Sequence, residues 1–357
     1  MAGQLRISTD AVSLATPQSA RLRVEISRTG IWYIMAGVFR ATNEVFKMAG
    51  PSVTPTIAVA VCTYNRNEAL ATLLEALLVN AVHLSERASV GVVVVDDSAD
   101  GNARGVIERF EGRFSLGINY RLSGRQNISL ARNMAIESAS EIADWTAMID
   151  DDCEPRPEWL EALIDTQQKT GADAVTGTMI RRVPPGSPKW LTDEPFLELG
   201  LARPADRARL TIAATFNSML SSRWLKDHPA IRFQPALGVI GGEDMVFYHA
   251  ATTAGLRIHY SERAVVYENE PPSRATLAYQ LRLFLWHGNT SYVTSVRSGT
   301  HPVRMFIHGV NSLRQSLVRP IVRVCQGENP QLRYCLASAL HAVGKMIGPL
   351  GIRIQHK

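Results

Sequence analysis

Residues 57–78 read IAVAVCTYNRNEALATLLEALL. The first eight residues are a near-continuous apolar run of strand length. After it, Leu70, Leu73, Leu74, Leu77 and Leu78 recur at i, i+3, i+4, i+7 and i+8, the stripe of an amphipathic helix. VGVVVVDD (90–97) follows as a second strand, rich in β-branched residues. A strand, a helix and another strand, with strands apolar on both faces, make a βαβ unit of a parallel sheet covered by helices on both sides. The alternation continues through INYRL (118–122), a helix over 128–142, WTAMID (145–150), a helix from Pro157 to Lys169 and AVTGTMI (174–180). Proline is tolerated at a first helical turn, which suits Pro157. From RRVPPGSPKW (181–190) the alternation stops. The spacing then predicts a strand TIAATFNSML (211–220), a helix opened by Gly-Gly over 241–255 and short strands near 257–267. The expected fold class is α/β, a mostly parallel sheet flanked by helices with a helical C-terminal extension.

The 357 residues are 46% hydrophobic and 20% charged, the composition of a globular protein with a sizeable core. The reading divides them into an extension 1–55 ending in PSVTP, a catalytic region 56–270 with halves 56–180 and 181–270, and a basic helical region 271–357. Cys62, Cys153, Cys325 and Cys335 form no CxxC or zinc spacing, which points to a reduced intracellular compartment. No secretory leader is seen, and the apolar run 31–39 is too short to span a bilayer. Residues 335–352, interrupted by Lys345, three glycines and Pro349, suit a helix lying on a surface.

The net charge of +5 is unevenly placed: residues 297–357 hold nine Lys/Arg against Glu328 alone. There Val303, Phe306, Ile307, Val310, Leu317, Ile321 and Val324 share one helical face, and Arg304, His308, Arg319 and Arg323 another. Such a helix either meets an anionic membrane surface or packs its apolar face on the core. The expected location is cytoplasmic, peripheral on the inner membrane face. Nucleic acid is not expected as a partner, because aromatic interleaving and known DNA or RNA motifs are missing.

Chemistry concentrates where two predicted strands end in acids, VVVVDD (Asp96, Asp97) and AMIDDDCEPR (Asp150 to Asp152). Ligands of parallel α/β sheets bind outside the carboxyl ends of the strands. Strand alternation would direct Asp150 and Asp152 to one side, and crowded hard oxygens suit Mg²⁺ or Mn²⁺. The plainer alternative is a solvated acidic turn. In GGEDMVFYH (241–249), Glu243 and Asp244 open a helix, where they either cap it or provide a general base. In GRQNISLARN (124–133), Arg125 and Arg132 either neutralise phosphates or pair on a helix surface.

In order, CTYNR, VVVDDSADG, NISLARN, MIDDDCEPRPEWL and GGED resemble the inverting family 2 glycosyltransferases of the GT-A fold, over residues 56–295. GTMIRRVPPGSPKW, TFNSML and AVVYENEPPSRATLAYQLRLFLWHGNTSY are similar to bacterial succinoglycan-type exopolysaccharide β-glucosyltransferases, which extend a lipid-linked oligosaccharide. The resemblance implies a UDP-sugar donor and a lipid-linked or other carbohydrate acceptor. Tyr64, with Thr63 and Arg66 beside it, would meet the uracil, and Asp97 the base or ribose. Asn127 and Arg132 would lie along the nucleotide. Asp150 and Asp152 match the DxD pattern for Mn²⁺ or Mg²⁺, Asp152 being the direct ligand. Asp244 matches the family's base, and Glu243 would help bind the acceptor. The chain departs from its relatives at Val246, where another acid is common, and at Tyr267, where many have His. The QxxRW signature of processive synthases is missing, which implies single-sugar addition. A nucleotidyltransferase would need a glycine-rich basic loop after the first strand, which CTYNRNE does not offer. An inactive sugar-nucleotide or membrane-binding adaptor would be expected to have lost DxD or GGED.

Overall fold

A computed structural model describes residues 54–198 and 203–355. The 1–55 extension, with its 31–39 run, lies outside the described residues except for Thr54 and Pro55. Residues 54–357 form one compact unit.

The expected βαβ unit is β1 (Thr56–Thr63), α1 (Asn67–His83) and β2 (Ser89–Asp96). All five leucines of the α1 stripe are buried. Then come α2 (Arg104–Glu108), β3 (Ile118–Leu122), α3 (Ile128–Ile142), β4 (Trp145–Met148), β5 (Cys153–Pro155), α4 (Trp159–Thr170) and β6 (Ala174–Arg182). Pro157 thus precedes α4 by two residues, within the ordinary scatter of helix ends. The second half adds α5 (Trp190–Asp193), β7 (Arg209–Leu210), β8 (Ser218–Ser221), α6 (Ser222–Asp227), α7 (Glu243–Thr253) and β9 (Ile258–Asn269). Three helices finish the chain: α8 (Leu277–Arg297), α9 (Pro302–Cys325) and α10 (Leu332–Ile347).

The sheet runs β3-β2-β1-β4-β8-β6-β9-β5, with β7 beside β9. Strands β3, β2, β1 and β4 are parallel; β8 runs antiparallel to both β4 and β6. The chain builds outward from β1 through β2 to β3 and returns to the other side of β1 as β4. That reversal opens a crevice between the carboxyl ends of β1 and β4. One face of the sheet is covered by α1, α2 and α4, the other by α3, α6 and α7.

The strand expected over 211–220 is mostly absent. Thr215–Asn217 form a 3₁₀ turn, and only Ser218–Ser221 pair as strand. Asn217 explains the break. Its amide donates to the carbonyls of Thr178 and Ala264 and accepts from the Trp159 indole, so the side chain cross-links elements that a strand there would keep apart.

Of the segment 335–352, read as a helix lying on a surface, α10 takes in only the part up to Ile347, and α10 packs on α8 of the same chain. Gly288 of α8 faces the His341 carbonyl so closely that a Cβ would collide with it, and Gly344 stands equally close to the Leu285 carbonyl. Asn289 ties the pair by donating to the carbonyls of Gly344 and Ile352. Phe196 joins this layer to the sheet domain, with ring centroids 5.0 Å from Trp190, 5.6 Å from Phe284 and 5.6 Å from Tyr334.

Candidate active site

A cavity of about 750 Å³ opens at the β1/β4 crevice, lined among others by Thr63, Tyr64, Arg66, Asp97, Arg132 and Asp150 to Asp152. Because β4 stops at Met148, a turn and not strand pleating presents the three carboxylates. Each is partnered by a cation or a hydroxyl, Arg66 serving two of them, which relieves their mutual repulsion. Asp150 accepts from Arg132 Nη2 at 3.0 Å. Asp151, almost fully buried, accepts from Thr63 Oγ1 at 2.8 Å and Arg66 Nη1 at 2.9 Å. Asp152 accepts from the same Arg66 Nη1 at 2.9 Å, with Arg274 3.9 Å away. Burial pushes the Asp151 carboxyl up to about 6 against the pull of Arg66, and burial beside Asp150 raises that of Asp152.

Arg132 links this turn to the start of α7. Its guanidinium pairs with Asp150 on one side and with buried Glu243 on the other. Burial works against its charge, but Asp150 and Glu243 outweigh that and hold it protonated. Ahead of Glu243, Gly241 and Gly242 adopt φ of 92° and 82°, a region only glycine occupies freely. Their bare backbones lie against the Trp286 ring and the Thr290 and Thr294 methyls, where a Cβ would collide. Trp286 Nε1 fixes the approach by donating to the Ile240 carbonyl at 2.8 Å. The Asp244 carboxyl accepts from the Met245 N–H at 2.7 Å. Burial, then the neighbouring Glu243, push it up to about 7.

The structure gathers most of the sequence-derived residues at this cavity. Tyr64, 46% exposed, and buried Asp97 stand on its wall, Asp97 accepting from the Arg125 N–H. Asn127 does not line it: its side chain caps α3 at Leu130 and donates to the Pro235 carbonyl. Glu243 and Asp244 are not among its lining residues either; Glu243 is tied to it through Arg132, and Asp244 is the next residue along the chain. Asp96 is structural, capping the Ser98 and Ala103 N–H groups. At the two departures from the family pattern the environment is informative. Val246 packs with Leu237, Tyr292, Val293 and Met305, where an acid would be buried in apolar contact. Tyr267 takes a hydrogen bond from Arg156 Nε, with the Arg182 guanidinium over its ring.

The far wall escaped sequence reasoning. Arg181 and Arg274 pair with Glu268 and Glu270 there, and Tyr279, Leu283, Trp286 and His287 of α8 complete it. Those four positions follow i, i+4, i+7 and i+8, a visible signal, but helical periodicity alone does not tell a cavity wall from a packed face.

Among the described residues no group of three or more His, Cys, Asp or Glu is arranged to hold a metal ion. Mg²⁺, however, ordinarily takes one or two protein carboxylates and fills its shell with phosphate oxygens and water. Asp150 and Asp152, with side chains 37% and 22% exposed on one cavity, supply hard oxygens of that number and kind. The donor set fits a Mg²⁺ or Mn²⁺ ion.

Residues 58–228 match the family described as glycosyl transferase family 2. The chain is 32% identical over 244 residues to the succinoglycan biosynthesis protein ExoM of Rhizobium meliloti, spanning 67% of this chain and 75% of that one. It is 23% identical to the glycosyltransferase AglE of Haloferax volcanii, over 65% of this chain and 73% of that one. Among solved structures it is similar to Staphylococcus aureus TarS 1–349 in complex with UDP, at 16% identity and a TM-score of 0.48, covering 83% of this chain and 92% of that one. The α/β sheet and its flanking helices agree with the fold class expected, and the family match together with the likeness to ExoM shows that the chain is a glycosyltransferase and belongs to glycosyl transferase family 2.

Proposed function

We propose that the protein moves a single hexose, such as glucose, from a UDP-sugar to a hydroxyl of a lipid-linked or other carbohydrate acceptor in exopolysaccharide assembly, with inversion at the anomeric carbon. The exopolysaccharide setting rests on the likeness to ExoM. The observation that carries the chemistry is Arg132, paired at once with Asp150 of the acidic turn and with Glu243, the neighbour of Asp244.

Tyr64 stacks on the uracil, and Asp97 accepts from base or ribose. Asp150 and Asp152 would hold Mg²⁺ or Mn²⁺, which when bound supplies neutralising charge to the departing diphosphate. Asp244 takes the proton of the acceptor hydroxyl as its oxygen attacks the anomeric carbon. The bond from that carbon to UDP breaks on the opposite face, so one displacement inverts the centre. Arg132 holds Glu243, and with it the start of α7, against the acidic turn; Glu243 orients the acceptor side. The work is done at the cytoplasmic face of a membrane, in peripheral contact with its anionic surface.

The test is UDP release from a panel of UDP-sugars with Mn²⁺ or Mg²⁺, followed by mass analysis of a lipid-linked acceptor. Release should depend on one sugar nucleotide and collapse in Asp244→Asn and Asp152→Ala. Equal rates in the parent and both variants would remove the basis of the proposal.

A further inference from the structure

Helix α9 is the most exposed apolar element of the described residues. Of its 24 residues only Met305, Gly309 and Ser316 are buried, Gly309 lying against α10. On the other side Val303, Ile307, Val310, Leu317, Ile321 and Val324 stand in the open, five of them 53–64% exposed and Val310 43%. Their spacings of 4, 3, 7, 4 and 3 residues keep them on one line along the helix. The position missing from that rhythm is Arg314, exposed in the middle of the stripe. Water is a poor solvent for so much aligned apolar surface, so something covers it.

Charge decides what. Helix α9 has no acidic residue, and neither Arg304 nor Arg314 has an ion-pair partner among the described residues. A second copy packed stripe to stripe would bury Arg314 against an apolar, acid-free helix, at a steep desolvation cost. Residues 1–53 carry six Lys/Arg against three acids, a charge of the same sign as that of α9. A bilayer with anionic headgroups satisfies both halves of the pattern. The aliphatic side chains enter the acyl boundary, while the long arginine stems lie along it and carry their guanidinium groups up to the phosphates. No helix among the described residues is long and apolar enough to cross a membrane, and α9 has the form of one that lies in the interface.

We propose that the Val303–Val324 stripe of α9 is a membrane-docking surface that seats the enzyme on anionic lipid. This deepens the peripheral contact proposed above by naming its surface, and its test does not depend on glycosyl transfer. The full-length protein is floated with vesicles of phosphatidylcholine alone or mixed with phosphatidylglycerol, while UDP release from a soluble UDP-sugar is read in parallel. The parent should bind the mixed vesicles, bind pure phosphatidylcholine weakly, and lose binding as salt rises. Leu317→Glu with Ile321→Glu should abolish flotation. Arg304→Gln with Arg314→Gln keeps the apolar stripe and should weaken partitioning about thirtyfold, two charges near an anionic leaflet contributing roughly 1 kcal/mol each. Both pairs should leave UDP release in solution unchanged, since these side chains are exposed and none of them lines the cavity. Full flotation by the Leu317/Ile321 pair would overturn the proposal, as would a parent that ignores anionic vesicles. A dimer in solution that dissociates in the Leu317/Ile321 pair would assign the stripe to a second copy instead. If flotation behaves as expected and UDP release is never seen, the docking surface stands and the enzymatic reading falls.

Discussion

Asp244 shows how local surroundings make a carboxylate useful. Its ordinary pKa of 3.8 is pushed up to about 7 by burial and by Glu243 beside it, so its basic form grows as pH rises through that value. A carboxylate of that strength would suit the role of base proposed for it near neutrality. We expect kcat/KM to climb with pH toward a plateau above about 7, and Asp244→Asn to lower kcat by about 10²–10⁴ with a flat profile. The same shift has a stability consequence of fixed sign. The folded chain holds this proton more tightly than the unfolded chain, so the group favours folding below its ordinary value and costs stability as pH rises toward 7. Asp244→Asn should therefore melt higher than the parent in thermal unfolding at about pH 8, and the gap should narrow toward about pH 4. Arg132 presents the opposite case. Removing it as Arg132→Met leaves Glu243 buried without its cation, a loss of about 3–5 kcal/mol visible in chemical unfolding. Arg132→Lys should recover little, because one ammonium does not span both Asp150 and Glu243 as a guanidinium does.

Among the elements, those whose residues find partners nearby in the chain were legible in advance. The β1–α1–β2 unit follows from the leucine stripe and the valine run, and β3 and α3 fall where expected. What the sequence hides is partnership at a distance. The acidic turn was visible, but the arginine that shares Asp151 and Asp152 lies 85 and 86 residues upstream, and Glu243 is 111 residues from Arg132. The Thr215–Asn217 break depends on carbonyls 39 and 47 residues away, so no local pattern announces it. The α8 wall of the cavity was hidden for another reason, since an aromatic at helical spacing reads alike whether it faces a core or a substrate. The close approach of α8 and α10 is likewise a property of the pair. Gly288→Ala should force the helices apart at the His341 carbonyl and cost about 1–3 kcal/mol in thermal unfolding. Adding Gly344→Ala should cost less than the sum of the two, because both relieve one contact.

Across the whole molecule, the C-terminal helices divide their surfaces: α8 lines the cavity, and α9 leaves its apolar line exposed. A chain stopped after Glu270 would lose the α8 wall and leave Phe196 without Phe284 and Tyr334. We expect such a chain to aggregate on expression and to turn over no UDP-sugar. The alternating acids and arginines of the cavity have one more effect, on what is allowed in. Its lining carries Asp97, Asp150, Asp151, Asp152, Glu268 and Glu270 against Arg66, Arg132, Arg181 and Arg274, a formal excess of two negative charges. Naked polyanions should therefore enter poorly, whereas the nucleotide donor proposed above would arrive nearly neutral when accompanied by a divalent counterion. Calorimetry should find UDP binding at least tenfold weaker in EDTA than in Mg²⁺, and Glu270→Gln should shrink that ratio by easing the entry of the bare nucleotide. On the proposed chemistry the resting cavity would act as a charge sieve, selecting the form in which its donor enters before any bond is broken.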